Sequence, residues 1–220
     1  MSRAPLAFRA VIFDMDGVLV DSEPAFYEAA NRVLAEEGQH IEWERYQRLL
    51  GTSVRETWRA LITMLGLPGG LQSYLDRYDG VLLACLGEPR TPLPGVLHLL
   101  NELKSRSIPC ALATSSRKAW MDTLLQASDI PRHTLSAFAW RELVAESKPA
   151  PDLYLHAAEL LGVPPERCIA IEDTPTGIAS AKAAGMYTVH VRASSTAFPP
   201  IEDADLVLES LAEFPIEMLG

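Results

Sequence analysis

Asp14 and Asp16 follow directly on the apolar run Val11-Ile12-Phe13 and lead into Gly17. A run of β-branched and aromatic residues predicts a strand buried on both faces. Glycine after it permits a sharp turn that a β-carbon would obstruct. Two carboxylates about 4 Å apart repel by roughly 4 kcal/mol at an effective dielectric near 20, and a bound cation is the expected way to offset that. A second acidic pair, Glu172-Asp173, follows the apolar run Cys168 to Ile171. Asp173 also reads as the cap of a helix with Pro175 near its first turn, but two adjacent acids bring the carboxylates at predicted strand ends to Asp14, Asp16, Glu172 and Asp173. Such an all-oxygen set selects Mg²⁺ rather than Zn²⁺. His40, His98, His133, His156 and His190 are scattered and form no paired ligand set.

Two further segments suit an anion. Thr114-Ser115-Ser116-Arg117 follows the run Pro109 to Ala113. Hydroxyls and N–H groups opening a helix cradle a phosphate, although Ser115 or Ser116 reads equally as a simple N-cap. Lys148 stands in Ser147-Lys148-Pro149-Ala150-Pro151, a stretch stiffened by prolines. Acids alone repel phosphate, but with a divalent cation between them they accept it. The absence of a GxxxxGK[ST] or GxGxxG pattern argues against a nucleotide cofactor.

The elements that must position these residues fall into two kinds. Glu23 to Glu37 predicts a helix, with Pro24 in its first turn and Gly38 past its end. Val54 to Leu65 and Leu71 to Leu86 carry apolar residues at helical spacing, so the chain from about 22 to 92 is all helical. From Pro94 the pattern alternates: helices over Val96–Lys104, Lys118–Gln126, Asp152–Leu161 and Gly177–Ala184, strands over Pro109–Ala113, Leu135–Ala139, Cys168–Ile171, Tyr187–Val191 and Leu206–Leu208. That alternation predicts an α/β, Rossmann-like parallel sheet with helices on both faces. Ligands of such sheets sit at the carboxyl ends of the strands. The expected organisation is a catalytic core of residues 1–21 and 93–220, with an all-α cap of residues 22–92 inserted just after the first acidic pair, where it can close as a lid.

The 220 residues with 48% hydrophobic content suffice for a sizeable core. A net charge of −10 argues against nucleic acid and anionic membranes as partners. Cys85, Cys110 and Cys168 have no metal-binding spacing, and Cys110 and Cys168 read as small core residues. Arg3 and Arg9 flank no apolar signal region, and no run reaches the length of a membrane span. A cytoplasmic monomer is the default expectation. The tail beyond Ser194, with Pro199, Pro200 and acids at Glu202, Asp203 and Asp205, reads as a surface loop.

Asp14-Met15-Asp16-Gly17, Thr114-Ser115-Ser116, Lys148-Pro149 and Glu172-Asp173, taken in that order, resemble the four motifs of the haloacid dehalogenase-like superfamily across nearly the whole chain. Asp21-Ser22-Glu23-Pro24 and the Gly51-Thr52-Ser53 turn are similar to its β-phosphoglucomutase and phosphoglycolate phosphatase branch. The resemblance implies Asp14 as nucleophile toward phosphorus and Asp16 as general acid and then base. It implies Thr114, Ser115 and Lys148 as phosphate-binding residues. A Mg²⁺ site would draw on Asp14, Asp16 (by its backbone carbonyl), Glu172 and Asp173. Gly51, Arg55, Ser116 and Arg117 are the expected substrate contacts.

Within that superfamily, dehalogenases and phosphonatases lack the second aspartate of the first motif, so Asp16 favours phosphate ester chemistry. The hexose phosphate mutases carry a histidine where this chain has Phe26, and Asp76 and Arg77 occupy the region of their lid lysine. The expected activity is therefore a Mg²⁺-dependent phosphatase acting on a small phosphorylated metabolite, a sugar phosphate first of all, through an aspartyl phosphate. The alternatives are a phosphosugar mutase and a non-catalytic phospho-ligand module.

Overall fold

The computed structural model describes residues 8–194 and 198–219; Arg3 and the first residues of the tail beyond Ser194 lie outside them. Strands β1 (Ala10–Phe13), β2 (Cys110–Ala113), β3 (Ala137–Ala139), β4 (Cys168–Glu172), β5 (Tyr187–Val191) and β6 (Leu206–Leu208) form one parallel sheet. Their order is β3-β2-β1-β4-β5-β6, with β1 central. Chain order reverses direction between β1 and β4, which opens a crevice at the carboxyl ends of those two strands. Both acidic pairs leave the sheet there.

The two faces of the sheet differ in size. Val11, Phe13, Leu112, Ile169, Ile171 and Val189 point to one side and join the larger core, beneath α5 (Val96–Ser105) and α6 (Lys118–Ala127). Ala10, Ile12, Ala111, Ala113 and Ala170 point to the other, where α7 (Asp152–Leu161) and α8 (Pro175–Ala183) pack closely. The period-2 alternation of large and small residues is what a strand covered on both faces requires. Cys85, Cys110 and Cys168 are all buried and unpaired, Cys110 and Cys168 in the sheet as expected.

Residues 23–86 are helical among the described residues: α1 (Glu23–Ala35), α2 (Trp43–Tyr46), α3 (Val54–Leu65) and α4 (Leu71–Leu86). Trp58, Leu61, Tyr74, Tyr78 and Leu82 are buried between them and continue the larger core. α3 starts on a capping box in which Ser53 and Glu56 satisfy each other's backbone N–H groups, and ends at Gly66 in a left-handed conformation. The aromatics of this segment pack on one another, as in the stacked pair Trp58–Tyr74 with centroids 5.3 Å apart, which agrees with reading them as core. The chain enters and leaves the segment side by side: Val20 bridges Pro92, and Leu93 N donates to Leu19 O at 2.9 Å.

Differences from the expected elements are local. α1 ends two residues early. β3 loses Leu135 and Ser136 to the tight turn at Arg132–Thr134. α8 begins at Pro175 rather than Gly177, because the Thr174 hydroxyl accepts from Gly177 N and Pro175 fits the first helical position. The short helix at Trp43–Tyr46 has too few residues to show a period.

Candidate active site

The turn after β1 is tight: Gly17 N donates to Val20 O at 2.8 Å, with Gly17 at φ +78°. It leaves Asp14 buried at the strand end and Asp16 one residue beyond Met15 on the crevice side. β4 runs beside β1, so Glu172 and Asp173 arrive at the same level. Ligand oxygens of Asp14, Glu172 and Asp173 lie within 4.8 Å of one another.

Lys148 holds two of these acids together. Its Nζ is 2.5 Å from Asp14 Oδ1, 2.6 Å from Glu172 Oε1 and 2.9 Å from the Ala113 carbonyl. Tyr154 also donates to Glu172 Oε1, while Glu172 Oε2 accepts from Asp173 N, Thr174 N and the Thr174 hydroxyl. Glu172 is therefore fixed by donors of the chain itself. Burial pushes the Asp14 carboxyl up to about 8, with Glu172 and Asp16 adding to the rise and Lys148 opposing it. Burial and the charges of Glu172 and Asp14 hold Asp173 well above the usual carboxylate range. Burial works against the charge on Lys148, but Asp14 and Glu172 outweigh it and raise its pKa.

The trio has the donor set and the deficit that a hard cation satisfies. Asp173 Oδ1 is buried without a hydrogen-bond partner, and a buried carboxylate oxygen left unpaired is costly. The residues present thus fit a hard divalent cation such as Mg²⁺, which Asp14 and Asp173 would hold with Glu172 beside them.

Asp16 stands apart from that trio. Its Oδ1 accepts from the Ser22 hydroxyl at 2.6 Å and its Oδ2 from the Ser116 hydroxyl at 2.8 Å. Burial raises its pKa and the two hydroxyls moderate the rise. Both of its carboxylate oxygens are thus taken by hydroxyls, and it is not one of the three acids whose ligand oxygens cluster. Ser22 precedes α1 without capping it; its hydroxyl goes to Asp16 instead. The pairing with Ser22 and Ser116 was not among the sequence expectations. The signal available was a serine in the N-cap position of a helix that needed no cap, with Pro24 already in its first turn.

Thr114 is fully buried, its Oγ1 accepting from Ser116 N at 3.0 Å. The Ser115 hydroxyl bonds that of Ser147 at 2.9 Å, which ties the segment after β2 to the one carrying Lys148. The Lys148–Pro149 peptide is cis. Arg117 is more than half exposed and pairs with Asp79 of α4 at 2.8 Å. Arg55 is exposed, its side chain bonding Gln72 within the helical segment at 3.5 Å, and among the described residues no contact brings it to the acids. Gly51, at φ +76°, lies against the Phe198 ring, which a β-carbon there would approach to 3.3 Å.

Comparison with known proteins agrees with this geometry. A profile of the haloacid dehalogenase-like hydrolases matches residues 8–185. The chain is 33% identical over 181 residues to a phosphorylated carbohydrates phosphatase of Thermotoga maritima, covering 82% of this chain and 83% of that protein. It is 32% identical to Beta-phosphoglucomutase of Bacillus subtilis, covering 96% and 93%. Among solved structures, CbbY from Rhodobacter sphaeroides in complex with phosphate superposes with a TM-score of 0.83 at 28% identity, covering 96% of this chain and 99% of that one.

Proposed function

The chain belongs to the haloacid dehalogenase-like hydrolase family, and we propose that it is a Mg²⁺-dependent phosphatase that removes phosphate from a small phosphorylated carbohydrate through an aspartyl phosphate on Asp14. It is an enzyme of the phosphoric monoester hydrolase class, and small phosphorylated metabolites are its substrates. One observation carries the finer reading: the two aspartates of Asp14-Met15-Asp16 have opposite environments. Asp14 is bound to the Lys148 ammonium, and Asp16 is held by two neutral hydroxyls. Different partners, an ammonium on one carboxylate and neutral hydroxyls on the other, suit the two to the separate roles of nucleophile and general acid.

In this reading Asp14 attacks phosphorus, forming an O–P bond as the bond to the leaving alcohol breaks. Asp16, protonated, gives its proton to the leaving oxygen. A water then attacks the phosphorus of the aspartyl phosphate, Asp16 takes its proton, and the Asp14–phosphate bond breaks. Lys148, Thr114 and the N–H groups at the start of α6 bind the phosphoryl oxygens, and Ser115 holds the Lys148 segment in place. Bound Mg²⁺ supplies neutralisation of the negative charge between the acids and the incoming phosphate. Residues 22–92 act as a cap that closes over the crevice and excludes water.

A mutase reading has the relationship to Beta-phosphoglucomutase behind it. Phe26 speaks for water as acceptor instead: its ring packs edge-on against Trp120 at 6.2 Å, an apolar contact with no base at that position. The test is turnover of p-nitrophenyl phosphate and a panel of sugar phosphates with and without Mg²⁺. Wild-type protein releases inorganic phosphate only with the cation, and Asp14→Asn loses at least a thousandfold in kcat. Undiminished turnover by that variant would remove Asp14 from the mechanism. Conversion of glucose 1-phosphate to glucose 6-phosphate without phosphate release would give the mutase instead.

A further inference from the structure

Lys148 directs all three of its ammonium protons into the protein: Nζ donates to Asp14 Oδ1, to Glu172 Oε1 and to the Ala113 carbonyl. A phosphoryl oxygen can bond it only if one of these acceptors is released. Of the two acids, Glu172 is the one that can release it. Among the described residues no other side chain donates to Asp14. Glu172 instead receives Lys148 and Tyr154 on Oε1, and Asp173 N, Thr174 N and the Thr174 hydroxyl on Oε2. That is one donor more than the roughly four lone-pair sites of a carboxylate. The Tyr154 hydroxyl stands 2.9 Å from the same oxygen that Lys148 touches, so Oε1 keeps a donor when the lysine turns away.

We propose that Tyr154 is a positioning residue for phosphate binding: its hydroxyl keeps Glu172 satisfied while the Lys148 ammonium exchanges that acid for a phosphoryl oxygen. The proposal rests on the phosphatase reading and adds how its phosphate-binding lysine becomes available. The ring has a part as well. Lys148 Nζ lies over its face, 5.0 Å from the centroid, so the cation keeps an attractive neighbour as it turns. Core packing explains the ring but not the hydroxyl. Tyr154 is fully buried in the smaller core with Ile12, Ala111 and Ala113, where a phenylalanine would fill the same space without the cost of burying a polar group. Without the hydroxyl, departure of Lys148 would leave Glu172 Oε1 unpartnered in a side chain only 1% exposed, and a buried carboxylate oxygen in that state is costly. That cost falls on the phosphate-bound protein alone, since in the free protein the lysine still occupies Oε1.

The experiment measures the Kd of inorganic phosphate by titration calorimetry at saturating Mg²⁺, together with kcat and KM for p-nitrophenyl phosphate, in wild type and Tyr154→Phe. A buried acceptor left without its donor weakens the state that contains it by about 5- to 100-fold. The expected result is a rise of at least about fivefold in both the phosphate Kd and KM, with kcat changed less than about twofold, because the lysine bond is made in the ground state and the transition state alike. In a Lys148→Met background the same substitution should leave the phosphate Kd where it was, since no ammonium remains to exchange. Kd and KM both within about twofold of wild type, whatever the melting temperature, would show a hydroxyl that serves packing only and would overturn the proposal. A loss that persists without Lys148, or that more Mg²⁺ restores, would overturn it too, by placing the effect on another group or on the cation. Where the Lys148→Met protein does not fold or bind phosphate, the single variant decides through Kd and KM. A wild-type protein that binds phosphate but hydrolyses no ester would overturn the phosphatase reading itself, which is a different result from an unchanged Kd.

Discussion

The carboxylate of Asp173 lies over Gly17, its Oδ2 only 1.9 Å from where a β-carbon on residue 17 would stand. The turn that delivers the first acidic pair and the strand end that delivers the second are thus locked together through a residue with no side chain. Gly17→Ala has two consequences. The left-handed φ of +78° costs an alanine roughly 1 to 2 kcal/mol, and the Asp173 carboxylate must shift from its place beside residue 17. A fall in melting temperature of about 2 to 8 °C is expected together with a weakened Mg²⁺ dependence, read from thermal melts and from activity against Mg²⁺ concentration. A variant that melts lower but titrates with Mg²⁺ like wild type would show that Asp173 is not needed for the cation.

The buried acids set how stability depends on pH. Asp14 titrates near 8 in the folded protein against about 3.8 unfolded, and Asp16 and Asp173 are shifted in the same direction. In that interval the folded state binds more protons than the unfolded one, so stability falls as pH rises. His190 is shifted down by burial and contributes the opposite slope, which ends by its unfolded value of 6.5. Between pH 7 and 8.5, melts in EDTA are therefore expected to drop steadily, and excess Mg²⁺ to flatten the drop, because a cation favours the deprotonated acids. A rise in melting temperature over that range in EDTA would contradict the assignment.

Ser22 reaches Asp16 from the edge of the helical segment. Its hydroxyl bonds the carboxylate and so favours the charged form. Ser22→Ala is expected to lower kcat about tenfold, since Asp16 is no longer held toward the leaving group. It should also move the alkaline limb of the kcat/KM profile to higher pH, because Asp16 then keeps its proton longer. A pH profile identical to wild type would mean that Asp16 is not the group that the limb reports.

The sheet, its order of acidic strand ends and the helical insertion were legible because they rest on periodicity and on glycine and proline at turns. Val11, Ile12 and Phe13 announce a strand buried on both faces, and nothing in the tertiary structure competes with that. The convergence of Asp14, Glu172 and Asp173 was legible because each stands at the end of a strand and all strands point one way; Lys148 stood out only as a lysine in a proline-stiffened loop before α7. The partners of those residues were not. Tyr154 lies on a helix face where an aromatic reads as core, and only the packing of α7 across the small-residue face carries its hydroxyl to Glu172. The helical segment is least legible: Arg55 follows a plausible turn yet points to Gln72, because its direction depends on how α3 packs against α4, which no local pattern encodes.

Asp79 of α4 joins the helical segment to the sheet. Its Oδ1 accepts from Arg117 at 2.8 Å and from Trp120 Nε1 at 2.9 Å, both on or beside α6, which opens directly after the Thr114 to Ser116 segment. The Arg117 pair is exposed, and such pairs contribute about 0 to 1 kcal/mol. The indole N–H is shielded, and a hydrogen bond from it to a carboxylate is worth roughly 1.5 to 3 kcal/mol. The Trp120 bond therefore dominates the seam, and its loss should favour an open arrangement of residues 22–92. Asp79→Ala is expected to raise KM for a sugar phosphate about five- to tenfold with a much smaller change in kcat, and to red-shift Trp120 fluorescence as its N–H meets water. If the contact between α4 and α6 is only fixed packing, the melting temperature falls while KM stays unchanged, and the helical segment does not close over the site as a lid.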